Sequence, residues 1–273
     1  MLNKIEVTTA KGATLELPLQ DLTDGYLVKE VTGLDPVKAN IVSSSFATMD
    51  GEQYQSSRRG IRNIVIKLGL QPDYSESSVH ELRKNLYSFF MPQSAVTLRL
   101  FMEGEIPVDI SGTVESFDSP SFVQEPEATI SLICFQPDFY DPNPVVIAGE
   151  TTSDSDEFLV MYDGTVETGF LLHMDIYSDV SEFTIFHRTA DNTVRTLEFV
   201  GPLTVGDMLD ISTVSGAKRA YLTRDGSDSS LLYGVSPFSH WINLFPGENY
   251  LRIYAEGEPI SYSIQYTTKF GAL

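Results

Sequence analysis

Apolar and polar positions alternate with a period of two along much of the chain. In RNIVIKLGL (62–70), Ile64, Ile66, Leu68 and Leu70 fall on one side, and Asn63, Val65, Lys67 and Gly69 on the other. AVTLRLFM (95–102) sets Val96, Leu98, Leu100 and Met102 against Thr97, Arg99 and Phe101. ISYSIQYTT (260–268) sets Ile260, Tyr262, Ile264 and Tyr266 against Ser261, Ser263, Gln265 and Thr267. Successive side chains of a strand point to opposite faces, so this pattern predicts half-buried antiparallel strands. Asp50-Gly51, Asp163-Gly164 and Asp225-Gly226 lie between such runs. They predict hairpin turns, because glycine accepts positive φ at low cost. Pro246-Gly247 predicts a further turn. One stretch has the helical period instead. Ser78-Val79-His80-Glu81 has the spacing of a capping box and predicts a helix over 78–90. Val79, Leu82, Leu86 and Phe89 form its apolar stripe, and Pro92 ends it.

The stretch DPNPVVIAGETTSDSDE (141–157) begins with two prolines and continues polar and acidic, without periodicity. It predicts a linker between residues 1–149, strands with one helix, and residues 150–273, nearly all strand. Many short strands separated by turns predict a mainly β protein built from sandwiches or barrels.

Charge changes the picture of partners. The chain of 273 residues has 38 Asp+Glu against 18 Lys+Arg, a formal net charge of −20. Binding to a phosphate backbone needs clustered cations, so specific nucleic-acid binding is not expected. An acidic channel wall would still let DNA pass without sticking. A lone cysteine, Cys134 in the apolar run ISLICFQ, excludes an intrachain disulfide and reads as a buried, inert thiol. The opening MLNKIEVTTAKG lacks a basic-then-apolar leader pattern, and no apolar run approaches the roughly 20 residues of a membrane span. Synthesis in a cytosol without membrane insertion is expected.

Candidate chemistry is sparse. His80, His173, His187 and His240 show no metal-ligand spacing. His173 and Asp175 share a strand face; a solvent-facing polar pair and half of a metal or catalytic pair are the two readings. Asp154-Ser155-Asp156-Glu157 and Asp225-Gly226-Ser227-Asp228 begin like calcium loops, but Phe158 and the glycine positions break the pattern, and a solvated linker and turn are expected. No zinc-hydrolase, nucleophile-elbow or phosphate-loop motif occurs. No catalytic residue, cofactor or metal is therefore expected. The arginines Arg58, Arg59 and Arg62 are unusual in so acidic a chain. They read either as contacts to a carboxylate-rich partner or as an ordinary charged strand edge. In WINLFPGENYLRIY (241–254), Trp241, Asn243 and Phe245 share one face of an expected strand, with Ile242 and Leu244 on the other. Both faces are largely apolar, so Trp241 reads as a packing residue. The rival is an exposed sugar platform built from Trp241 or from Tyr250, Arg252 and Tyr254.

SHWINLFPGENYLRIYAEG (239–257) resembles the terminal hairpin of siphophage distal tail (Dit) proteins, in which a Ser-x-Trp strand leads into a Pro-Gly-x-Asn turn. VGDMLDIST (205–213) resembles that family's Gly-Asp strand start. YDGTVETGFLLHMDI (162–176) resembles the opening strand of its second domain. MDG…SSRRGIRNIVIKLGL (49–70), the helix at 78–90 and ISLICFQPDFYDP (130–142) follow the first domain in order and spacing. The resemblance covers most of the chain. It implies an N-terminal β-sandwich with one helix, six copies of which form a ring, and a C-terminal galectin-like jelly roll projecting outward. It further implies a structural virion protein at the tail tip. Its partners would be itself as a homo-hexamer, the tail tube protein, the tail hub and baseplate or receptor-binding proteins. DNA would pass through the ring unbound. Fold and site are separate matters, so the galectin-like fold does not itself imply sugar binding. A carbohydrate-binding adhesin and a β-sandwich hydrolase with a carboxylate pair remain the rival readings.

Overall fold

The structure, a computed structural model, describes residues 1–19, 25–47, 50–75, 77–121 and 123–273. Met49 of the MDG stretch lies outside the described residues. The chain divides into two compact units, Met1–Pro142 with Phe270–Leu273, and Asn143–Lys269.

The first unit opens with β1 (Leu2–Thr9), β2 (Thr14–Pro18), β3 (Tyr26–Thr32), β4 (Ala39–Ser45), β5 (Glu52–Arg59) and β6 (Arg62–Leu70). After α1 (Val79–Phe90) come β7 (Ala95–Met102), β8 (Val108–Asp118), β9 (Glu127–Cys134) and β10 (Phe139–Tyr140). Seven of these strands hydrogen-bond in the order β2-β1-β7-β8-β9-β6-β3. Their inward rows meet in one core that includes Ile5, Val7, Ile64, Ile66, Leu98, Ile110, Ile130 and Leu132. One face of every strand thus reaches the same interior, which requires the continuous sheet to wrap around it. The expected alternation on 62–70 and 95–102 is realised, with Ile64, Ile66, Leu68, Leu70, Val96, Leu98 and Leu100 buried. The helix starts as its capping box dictates. The Ser78 hydroxyl accepts from the Glu81 N–H at 3.3 Å, and the Glu81 carboxylate accepts from the Ser78 N–H at 2.8 Å. Leu82, Leu86, Phe89 and Phe90 fall on its buried face, with Val79 at the margin. β4 and β5 stand apart as a two-stranded sheet of their own.

The second unit contains β11 (Val145–Glu150), β12 (Phe158–Tyr162), β13 (Phe170–Asp175), β14 (Val180–Thr189) and β15 (Val194–Leu203). It continues with β16 (Met208–Ser212), β17 (Arg219–Arg224), β18 (Ser227–Ser230), β19 (Gly247–Ala255) and β20 (Ser261–Tyr266). A six-stranded sheet, β11-β20-β13-β16-β17-β18, and a four-stranded sheet, β12-β19-β14-β15, enclose a second core. The chain is mainly β, as expected.

Four local expectations change. The 141–157 stretch is not all linker: Val145–Glu150 is an edge strand paired with β20 from Val145↔Tyr266 to Glu150↔Ser261. It has no cleanly buried row, so alternation could not reveal it. The division also falls after Pro142 rather than Gly149, and the last four residues belong with the first unit. Asp163-Gly164 is not a hairpin turn, because β12 and β13 lie in different sheets. Gly164 is needed for space: a Cβ there would sit 2.3 Å from the Tyr162 hydroxyl and 2.7 Å from the Lys269 carbonyl. Residues 241–245 are not a ladder strand either, and only Leu244 forms a bridge, to Thr168.

Candidate assembly and ligand surfaces

The three arginines have three different environments. Arg62 has the same strand parity as Ile64 and Ile66, and it points inward with them at 1% exposure. Its guanidinium donates to four carbonyls: Pro137 at 2.6 Å, Gly33 at 2.6 Å, Asp35 at 2.7 Å and Gly271 at 2.7 Å. It also lies 4.4 Å from the Phe139 ring centre. Burial holds its pKa below the usual arginine value. This corrects the reading of Arg62 as a partner contact, because no partner can reach it. It ties together the loop after β3, the exit from β9 and the last residues of the chain. Gly33 permits this clamp, since its φ is +89° and a Cβ would meet the Asn63 carbonyl at 1.9 Å. Arg59 is half-exposed and forks onto the Asp138 carboxylate, with Nη2–Oδ2 at 2.9 Å. Arg58 is exposed on β5 and makes no ion pair among the described residues.

The residues considered for sugar binding fall into two sets, Trp241 and the β19 group Tyr250, Arg252 and Tyr254. Trp241 is half-buried, packs on the second core and has Lys218 Nζ 5.9 Å from its ring centre. Tyr250, Arg252 and Tyr254 sit on β19, on the face opposite the buried Leu251 and Ile253. There Arg252 lies 3.8 Å over Phe186, and Arg188 lies 4.1 Å over Tyr250. Tyr254 meets Phe186 edge-on at 6.4 Å. Arg188 is held by Glu157 at 2.6 Å, and Tyr250 donates to Glu248 at 2.9 Å. These side chains are occupied with one another, a ladder of cation–π contacts across neighbouring strands.

Asn249, which ends the Pro-Gly-x-Asn turn, was not singled out from sequence and proves central. It is fully buried. Its amide donates to the carbonyls of Phe245 at 2.7 Å and Gly247 at 3.0 Å. Its oxygen accepts from the Phe245 N–H at 2.9 Å and meets His187 Nε2 at 3.0 Å. Because the Asn249 amide nitrogen is spent on carbonyls, His187 Nε2 must carry the proton. His187 Nδ1 is then a buried lone pair, without a partner in the structure. Burial is the main cause that lowers the His187 pKa; the Asn249 bond opposes it and Arg195 adds to it. The Gly-Asp stretch has a similar purpose. Gly206 takes φ +92°, and the buried Asp207 receives Arg224 at 2.7 and 2.6 Å and the Thr204 N–H at 2.8 Å. Arg224 first, and then the Thr204 N–H, hold this carboxyl below the usual aspartate range against the opposing effect of burial.

His173 and Asp175 do share a face, and Asp210 from β16 joins them, 2.8 Å from His173 Nδ1. No group of three or more His, Cys, Asp or Glu among the described residues could hold a metal ion. Cys134 is buried, and burial pushes its thiol up to about 11. No described helix is long and apolar enough to cross a membrane.

The chain is a mainly β protein of two units, each with its own core and its own buried polar clamp. Residues 163–270 match the family described as the siphovirus-type tail component, C-terminal domain. The whole chain has the distal tail protein fold. It superposes on the crystal structure of the SPP1 Dit protein, described as a paradigm of the hub adsorption apparatus in phages infecting Gram-positive bacteria. The TM-score is 0.66 at 18% identity, over 97% of this chain and 99% of that one. A chain of the phage P2 baseplate in its activated, calcium-bound conformation aligns over 100% of both chains, with a TM-score of 0.51 and 8% identity. No curated protein matches the chain.

Proposed function

We propose that this chain is a distal tail protein of a siphophage virion. It assembles as a homo-hexameric ring at the tail tip, joins the tail tube protein to the tail hub and anchors baseplate or receptor-binding proteins. DNA passes through the lumen without being specifically bound, because the net charge of −20 opposes phosphate contacts. The role is structural rather than enzymatic. The single observation that carries this reading is the fold match to a Dit protein across 97% of the chain, through both units. The family match of residues 163–270 supports it independently of coordinates. In the same reading Arg58, and Arg59 beside it, face a neighbouring subunit.

Negative-stain images of the purified protein are expected to show closed rings with a central hole. Open filaments, or single chains that persist when the tail tube protein is added, would contradict the ring. A glycan-array signal that disappears in Arg252→Ala or Trp241→Ala would favour the adhesin instead.

A further inference from the structure

We infer that the open edge of β11 takes up an extended, basic segment of another protein as an added strand, an inference that stands on the second unit alone and does not depend on the ring. β11 ends the six-stranded sheet, with β20 on one side and no strand on the other. The Thr151 N–H donates to the Ile260 carbonyl at 2.9 Å, which fixes the phase of this antiparallel ladder. Val145, Ile147 and Gly149 therefore bond to β20, and the N–H and C=O groups of Val146, Ala148 and Glu150 point away from it. No backbone hydrogen bond among the described residues reaches those groups.

Sheets defend such edges with charge, proline or cover. Among the other edges, β2 carries Glu16 and Pro18, β3 carries Lys29 and Glu30, and β18 carries Asp228. The edge of β15 is met by a following segment, through the Phe199–Val235 bridge and the bond from Ser236 N–H to the Glu198 carbonyl at 3.0 Å. VVIAG (145–149) has no charge and no proline, and Val146 is 61% exposed. An undefended edge of this kind is a template for another chain.

The groove beside the edge selects the occupant. A cleft of 470 Å³ lies along β11, with Ile147, Phe158, Ile253 and Tyr262 as its apolar lining and the exposed Glu150 and Asp156 as its charges. No lysine or arginine lines it. Of β12, the edge of the other sheet, only Phe158 takes part, so β11 fronts the cleft. An added strand turns every second side chain towards one face of the sheet and the rest towards the other. The segment that fits is apolar at alternate positions, for the cleft, with lysine or arginine between them. Residues 143–269 hold 7 Lys+Arg against 18 Asp+Glu, a net of −11, which attracts such a segment. A second copy of this chain would set the same acidic groups against each other, so charge favours a different protein.

The probe is the peptide Lys-Val-Lys-Val-Lys-Val, capped at both ends and added to the isotope-labelled full chain. The amide resonances of Val146, Ala148 and Glu150 are expected to shift, and their exchange with solvent to slow. N-methylation of one alternate set of peptide amides should abolish binding and of the other set spare it, because only one set faces β11. Val146→Pro removes an outward N–H and leaves the β20 ladder whole, so it should melt as wild type does and bind about tenfold more weakly. The peptide Glu-Val-Glu-Val-Glu-Val should leave the β11 amides unchanged. Shifts centred on β12 or elsewhere, equal effects of the two methylated peptides, or equal binding of the acidic peptide would overturn the inference. So would β11 amides that stay unchanged at the highest soluble peptide concentration. Protection of β11 that grows with the concentration of the chain alone would make a second copy the occupant and overturn it too.

Discussion

Arg62 and Asn249 show how much of this fold depends on single buried polar groups. Arg62→Ala would leave four carbonyls unpaired and is expected to cost about 3 kcal/mol or more in urea unfolding. Arg62→Lys should recover only part of this, because an ammonium lacks the planar fork that reaches several carbonyls at once. Asn249→Ala is expected to cost about 3 kcal/mol, since it strands the Phe245 N–H and the His187 N–H together. His187 makes stability depend on pH. Its folded pKa is lowered by burial from the ordinary value of 6.5. The unfolded chain therefore takes up a proton, as pH falls through 6.5, that the folded chain refuses. Stability of the second unit is present in full above 6.5 and declines below it, towards the folded pKa. Urea midpoints should drop between pH 7.5 and 5.5, and less steeply in His187→Leu. An imidazole seen by NMR to titrate at or above 6.5 in the folded protein would contradict this. Cys134, with its thiol pushed up to about 11, should resist thiol reagents until the chain unfolds.

At the scale of elements, Gly169 links a motif to its physical cause. A Cβ there would lie 2.6 Å from the backbone of Thr213 and Val214, so Gly169→Ala should displace β13 from its partners and lower the melting temperature. Elements with a clean period were legible in sequence. β6, β7, β20 and α1 each place one apolar row on one face, and the capping box marks where α1 begins. Elements without such a row were not. β11 is an edge strand with Val145 and Val146 both exposed, and in 241–245 Phe245 is held by the Asn249 side chain and Leu244 by one bridge to Thr168, not by a ladder. Arg62 was legible in part. It was read with Arg58 and Arg59 as a partner contact or strand edge, although its parity with Ile64 and Ile66 puts it on the inward face, and its acceptors at 33, 35, 137 and 271 are scattered and leave no local signal. Asp210 beside His173 was hidden for the same reason, because strand pairing across 37 residues brings them together. Asp50-Gly51 did announce the β4–β5 turn, with Gly51 at φ +88°. That this ribbon stands alone could not be read from IVSSS, which has no alternating row to bury.

At the scale of the whole molecule, charge and fold bear on assembly. A chain of net charge −20 with a fold shared along its length with a hub protein is expected to be stable as a closed ring and to resist unspecific association. Raising the salt concentration should aid assembly by screening repulsion between copies, an effect readable as a shift in the concentration at which rings form. The most direct test is the native mass by light scattering across protein concentration, with and without a tail tube protein. A species of about six times the 30.3 kDa chain mass is expected. A mass of one chain at every concentration, with the tube protein present, would contradict it.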